Sequence, residues 1–310
     1  MTDPKRSDAR TAIVIILHIG FTYLPVFLAA AVPLDGRVLF FWLWFGLTKN
    51  GLINLMHECA HRLCFRRAWA NEALGKWVLA PLVLTKFQEY RERHWDHHRY
   101  LGLLADPKVV YRTNVKGQNA VRLVVRCLLG IEAVRRLTEK PLGPSFSSKP
   151  KRSAQALPLV SVHVLFLTSL TFVAVLFQPT HGKAVVTVVV AYGFVYAYGL
   201  SSITVLAAAV RAIAEHQIRL EKDLREGSAA LRNLRCNFLT LLLFGAYGFR
   251  DHATHHRHPD VPYYQLPAVT LRLSATDAEF VPGNGYIATF MSLVRSQDLQ
   301  VEGNQSHSAN

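Results

Sequence analysis

His94-Trp95-Asp96-His97-His98 is the stretch whose reading decides what this chain is. If it is helical, imidazoles at i, i+3 and i+4 stand on one face within reach of a common ion. The spacing returns at His252-Ala253-Thr254-His255-His256, and His57-Glu58-Cys59-Ala60-His61 adds a pair at i and i+4. With 14 histidines in 310 residues, chance supplies about 0.03 copies of H-x-x-H-H, so two copies call for a chemical reason.

Eight clustered imidazoles match what a pair of transition-metal ions needs from neutral nitrogen ligands. His216 is a ninth candidate, with Arg211 and Glu215 spaced as an i, i+4 ion pair able to orient it. The candidate metal ligands are therefore His57, His61, His94, His97, His98, His216, His252, His255 and His256. Glu58, Asp96 and Asp251 adjoin the clusters and are weaker candidates for accepting a ligand N–H. His18, His163, His181, His258 and His307 stand apart and read as ordinary polar or packed residues.

Outward from the histidines, the apolar residues decide the setting. Residues 11–32, 38–56, 157–177 and 184–210 are each about 20 residues or longer and mostly apolar, the length that crosses a roughly 30 Å hydrocarbon core. The predicted fold is all-α and integral to the membrane: four transmembrane helices in two hairpins, with a cytoplasmic helical cap holding a di-metal site. Residues 11–32 are too long for the apolar core of a cleaved signal and should stay as the first helix. Two shorter runs, 77–84 and 238–249, flank the histidine clusters and are expected at the membrane interface. The second span can run straight on to His57 and His61. From 184 to His216 a continuous helix would cover about 48 Å at 1.5 Å per residue, which brings His216 level with the other clusters.

A net charge of +14 on a soluble chain would point to nucleic acid, but no binding motif accompanies it. Of the 35 Lys and Arg, 32 precede the first span, lie between the second and third, or follow the fourth, and only Arg37 and Lys183 fall in the opposite connections. By the positive-inside rule, both termini and the metal site are expected in the cytoplasm, with anionic membrane lipid as the partner of the charge. The four cysteines, Cys59, Cys64, Cys127 and Cys236, then sit on the reducing side, so neither disulfides nor a zinc-thiolate site is expected.

Along the chain, residues 1–10 read as a flexible N-terminus, 11–267 as one membrane domain and 268–310 as a C-terminal segment with a polar, disordered tail. Residues 115–139 read as a basic amphipathic helix and 140–151 as a flexible link, both touching the membrane surface. Lys49, inside the second span, reads first as a snorkelling or capping lysine. A sharper reading has Thr48-Lys49-Asn50 lining a substrate pocket.

The three boxes, HxxxH, HxxHH and HxxHH, together with the four-helix layout, resemble the membrane fatty acid desaturase and hydroxylase superfamily. The resemblance extends to Arg211-Ala212-Ile213-Ala214-Glu215-His216, which looks like the extra-histidine segment of bacterial members, and to residues 259–267. It implies two iron ions (Fe2+/Fe3+) held by the histidines, O2 as co-substrate, and removal of hydrogen from an unactivated C–H bond of a lipid or long-chain acyl substrate. It also implies a bacterial inner membrane and a separate electron donor of ferredoxin or cytochrome b5 type with its reductase, since no such segment is recognisable here. Desaturation of an acyl lipid is the leading expectation, and hydroxylation or ketolation of a lipid, alkane or carotenoid is the alternative.

Three other classes compete. His57-Glu58-x-x-His61 is formally the HExxH of zinc metalloproteases, but that chemistry would leave most of the clustered histidines without work. A metal transporter would place its ligands at mid-membrane, whereas these fall at the helix ends. A soluble carboxylate di-iron bundle would need two ExxH motifs, and only Glu58 to His61 supplies one.

Overall fold

The computed structural model describes residues 8–101, 103, 105–107, 118–138, 153–216 and 231–295. Residues 1–7, the link expected at 140–151, the charged segment after His216, the tail from 296 and His307 lie outside the described residues. Within the described residues every regular element is a helix, and extended pairing is confined to two isolated bridges, His216 with Leu231 and Leu234 with Gly283.

Four helices are long and apolar enough to cross a membrane: α1 (Asp8–Ala31), α2 (Arg37–Ala60), a third at Ala156–Phe177 and a fourth at His181–Glu215. Between the second and third come a helical stretch over 68–82 (α3), α4 (Phe87–Arg99), α5 (Gln118–Leu128) and α6 (Ile131–Thr138). The third span is then α7 (Ser153–Phe177) and the fourth α8 (His181–Glu215). A short helical run over 238–245 (α9), α10 (His252–Arg257), α11 (Leu266–Ser274) and α12 (Tyr286–Arg295) complete the described chain.

α2 is the central element. From Thr48 to Ala60 only Ile53 is not fully buried, because α1, α8, α4 and the 238–245 run all pack against it. Two glycines make that density possible. A Cβ on Gly46 would lie 2.4 Å from Cβ of Ile203, and one on Gly51 would lie 2.2 Å from Nε2 of His18. Small residues let membrane helices approach closely where lipid supplies no hydrophobic drive for association. His18 is thus a packed residue, with Nε2 3.3 Å from the Thr48 carbonyl.

Lys49 is fully buried. Its Nζ donates to the Tyr23 hydroxyl and stands 4.2 Å from the Tyr23 ring centre and 5.0 Å from that of Phe45. Tyr23 in turn donates to the Leu82 carbonyl at 3.0 Å, so an intramembrane amine is satisfied by aromatic faces and one hydroxyl. His163 joins the same region, with Nε2 3.2 Å from the Pro81 carbonyl and Nδ1 3.2 Å from the Tyr192 hydroxyl.

α8 is 35 residues long, about 52 Å of helix. It winds more widely over Val190–Tyr198 and breaks regular helical geometry at Ser202 (φ −111°, ψ −82°), where Trp42 Nε1 donates to the Ser202 hydroxyl at 3.2 Å. The basic helix expected over 115–139 is two helices where described, because Gly130, at φ +73°, turns the chain between α5 and α6. Val121, Val125, Val134 and Leu137 of this pair are exposed, with Arg122, Arg126, Arg135 and Arg136 interspersed.

Candidate metal centre

α2 delivers His57 and His61 and then stops. Leu63 N–H donates to the Glu58 carbonyl at 2.9 Å and Arg62 N–H to the Cys59 carbonyl at 3.0 Å, with Arg62 at φ 61°. This is a Schellman closure with Arg62 in the position glycine usually takes, and it leaves His61 as the cap residue just past the end of the helix.

α4 carries His94, His97 and His98, and α10 carries His252, His255 and His256. The two H-x-x-H-H helices distribute their rings oppositely. His94 and His98 join His57, His61 and His255 in one group, while His97 joins His216, His252 and His256 in a second; in each group one ligand atom per residue lies within 4.8 Å of all the others. Residues at i and i+4 point nearly alike and i+3 diverges from them. α4 therefore gives two rings to the first group and one to the second, and α10 does the reverse.

In the first group Nε2 of His94 lies 2.6 Å from Nε2 of His61 and 3.0 Å from that of His98, and His255 Nε2 is 3.3 Å from His98 Nε2. In the second, His216 Nε2 lies 3.4 Å from His97 Nε2 and 3.2 Å from His252 Nε2. The groups meet where the His98 and His256 rings stack at 4.2 Å.

Several rings are held from behind. Nδ1 of His97 is 2.9 Å from both carboxylate oxygens of buried Asp106, which fixes the Nδ1–H tautomer and turns Nε2 toward the group. Nδ1 of His216 donates to the Ala212 carbonyl at 2.8 Å. Glu58 lies 3.4 Å from His57 Nδ1 and accepts from Tyr263 N–H at 3.2 Å. Burial lowers the His61 pKa to about 4 and holds His256 well below its ordinary value, with the neighbouring His252 adding to the effect. Both rings are thus neutral near pH 7, as imidazole ligands must be.

Of the adjacent carboxylates weighed from sequence, Glu58 alone reaches a ring in this way. Asp96 faces Arg99 at 3.6 Å and Asp251 pairs with Arg250 at 3.1 Å. The Arg211 to Glu215 pair exists, at 3.5 Å, yet the Ala212 carbonyl is what orients His216. His18, His163, His181 and His258 stay outside both groups.

Sequence reasoning missed Asp106 and Asn233. Asn233 Nδ2 donates to the Phe280 carbonyl at 2.9 Å and to the Thr254 hydroxyl at 3.0 Å, and its Oδ1 accepts from Thr254 N–H at 3.2 Å. That clamp positions α10. Arg232 Nη1 donates to the carbonyls of Ala214 and His216, at 3.2 and 3.1 Å, closing the end of α8 with a cation where the helix dipole favours one. Neither Asp106 nor Asn233 has a spacing relation to the histidines it serves.

A cavity of about 670 Å³ lies beside the centre, between α1 and residues 238–251, with Tyr263, Tyr264 and Pro267 completing its wall. Val14, Leu241 and Leu242 give it an apolar lining, Arg10 and Arg250 also reach it, and Asp251 places its edge one residue from His252. Residues 48–50 do not line it.

Residues 37–285 match the family model described as fatty acid desaturase. Among curated proteins, the chain is 28% identical over 102 residues to the sn-1 oleoyl-lipid 12-desaturase of Synechocystis sp., an alignment covering 31% of this chain and 26% of the relative. The enzymes of the same name from Anabaena variabilis and Picosynechococcus sp. are 27% identical over 93 residues and 36% over 59, covering 27% and 19% of this chain and 26% and 17% of the relative. The chain thus spans about a quarter or less of the length of the curated relatives it matches.

Proposed function

This chain belongs to the fatty acid desaturase family, and from that premise we propose that it is an O2-dependent di-iron desaturase that introduces a double bond into the acyl chain of a membrane lipid. As a family member it is an oxidoreductase with four membrane-crossing helices. The observation that carries the proposal is the sorting of nine imidazoles from four separate stretches into a group of five and a group of four.

The residues present fit a pair of iron ions. Buried His57 and His256 have no hydrogen-bond partner at either ring nitrogen among the described residues. A buried polar group left unsatisfied costs about 1–3 kcal/mol, and coordination to a metal would satisfy these. All-imidazole sets suit late first-row ions rather than Ca²⁺ or Mg²⁺. When bound, the two irons would supply activation of O2 sufficient to remove hydrogen from an unactivated C–H bond. The chain's own part is to keep the rings neutral by burial, fix the tautomers of His97 and His216 through Asp106 and the Ala212 carbonyl, and hold the substrate in one register, since reactivity along a methylene chain barely discriminates between positions.

Glu58 is held behind the His57 ring by Tyr263 N–H. That position favours an orienting role over the general base of a zinc protease.

The cavity between α1 and the 238–251 stretch supports a lipid substrate: its apolar lining suits an acyl chain, and Arg10 and Arg250 suit an anionic headgroup. The names of the relatives, oleoyl-lipid desaturases, agree with a lipid-borne acyl group. The 32 to 2 distribution of basic residues supports a metal site on the cytoplasmic face; we put it at a bacterial inner membrane, with the exposed apolar side of α5 and α6 against the leaflet and a separate ferredoxin or cytochrome b5 type protein supplying two electrons.

The test is lipid mass spectrometry of a host expressing the chain beside the same host expressing His97→Ala. An acyl product two mass units lighter that depends on His97 supports desaturation; one 16 units heavier moves the proposal to hydroxylation; no His97-dependent product overturns it.

A further inference from the structure

The stretch His94-Trp95-Asp96-His97-His98 holds one large side chain to which the metal centre gives no role. α4 turns His94 and His97 inward, where they are 5% and 0% exposed, and leaves Trp95 at 41%. Trp95 and His98 are three positions apart and share a flank of the helix, so their rings meet, with centres 5.7 Å apart. The same indole reaches across to the end of α2, its centre 4.8 Å from that of His61. Both imidazoles belong to the five-histidine group.

Among the described residues, the other non-histidine rings that touch the two groups are Phe249 and Tyr90. Phe249 is buried against His57 and His252. Tyr90 is half-buried and stacks on His94 at 6.0 Å. Trp95 combines broad exposure with contact to two ligand rings from two different helices. Its helix faces water rather than lipid, because six of the 13 residues of α4 are charged and hydrocarbon does not accept them. Arg62 follows His61 in the chain and Arg99 stands one turn beyond Trp95, and both are exposed.

We propose that Trp95 is where electrons enter the centre: a one-electron carrier protein docks over the indole, which bridges it to His61 and His98. The inference rests on the di-iron reading above. An indole in contact with two imidazoles offers π orbitals from the protein surface to the ligand nitrogens, with neither saturated side chain nor solvent between. Each encounter oxidises the carrier by one electron and reduces the centre by one, so two encounters supply the pair that a turnover takes. No bond forms or breaks at the indole, and it ends as it began. The guanidiniums of Arg62 and Arg99 suit an acidic face on the carrier, since complementary charge speeds encounter and fixes orientation.

The test uses the full chain in detergent, iron-loaded and oxidised, mixed by stopped flow with reduced plant-type ferredoxin or reduced cytochrome b5. Trp95→Leu should keep the iron content and Mössbauer spectrum of wild type and be reduced by dithionite as fast, yet lose the fast phase seen with the carrier. Trp95→Phe should retain part of that phase. Trp69→Leu removes an exposed indole with no ring contact to either group among the described residues, and should leave the phase intact. Equal carrier-driven rates in Trp95→Leu and wild type would overturn the inference. Loss of iron from Trp95→Leu would do the same by making the indole a packing residue, and so would a wild type reduced by dithionite but by neither carrier. Wild-type protein that takes up no iron would instead sink the di-iron reading itself. Should the variants aggregate, hydroxyl-radical footprinting of the wild type decides: protection of Trp95 by bound carrier supports the assignment, and equal oxidation with and without carrier overturns it.

Discussion

Asp106 presents both carboxylate oxygens to Nδ1 of His97 at 2.9 Å, and the two side chains are 1% and 0% exposed. A buried anion held this way acts through the imidazole, fixing which nitrogen carries the proton and how the ring is aimed.

Replacing it should cost function without unfolding the chain. Asp106→Asn keeps the shape but loses the charge, and metal affinity or turnover is expected to fall 10- to 100-fold, the range typical for partners that orient a ligand. Iron titration beside lipid analysis reads both quantities. Wild-type affinity and turnover in the variant would show that the contact orients nothing.

Arg62 sits in the left-handed region at φ 61° and its side chain is exposed. The left-handed conformation costs an L residue about 1 kcal/mol, and glycine escapes that cost. Arg62→Gly should therefore raise thermal stability by about that amount while leaving metal content unchanged. A lower melting temperature would mean the arginine side chain contributes more than the strain it imposes.

The glycine at 51 is a packing requirement. Gly51→Ala places a methyl 2.2 Å from the His18 ring, and overpacking of this kind costs about 1–3 kcal/mol. Combining it with His18→Ala should recover most of the loss. Iron per folded chain in His18→Ala alone should equal wild type, because His18 joins neither histidine group. Thermal melts in detergent with metal analysis check both statements.

Burial pushes the Cys236 thiol up to about 11. The thiolate is the reactive form, so at pH 7.5 only about one thiol in a few thousand is ionised. Alkylation at Cys236 should then be slow at neutral pH and quicken about tenfold per pH unit until pH approaches 11. Peptide mass spectrometry after timed iodoacetamide exposure follows it, and a rate that levels off by pH 9 would contradict the burial argument.

Much of this molecule is written in local periodicity. Apolar length alone marks the four spans, because the bilayer sets how long a helix must be to cross. The i, i+3, i+4 spacing marks eight of the histidines, because helical geometry puts those positions on one face wherever the helix goes. His216 follows from the length of α8, which must overshoot the hydrocarbon and end level with the others. All nine histidines singled out this way come together in the folded chain.

Tertiary structure alone decides how they are divided. Helical spacing lets His97 part from His94 and His98, and His255 from His252 and His256, but which rings of α4 and α10 share a group is set only by how the two helices are placed against each other. Asp106 and Asn233 are equally illegible beforehand, being common residue types whose roles arise only once the chain has folded. Spacing within one helix is fixed by the backbone and survives in the sequence; distance between helices is fixed by packing at places such as Gly46 and Gly51, where a single Cβ would force the spans apart.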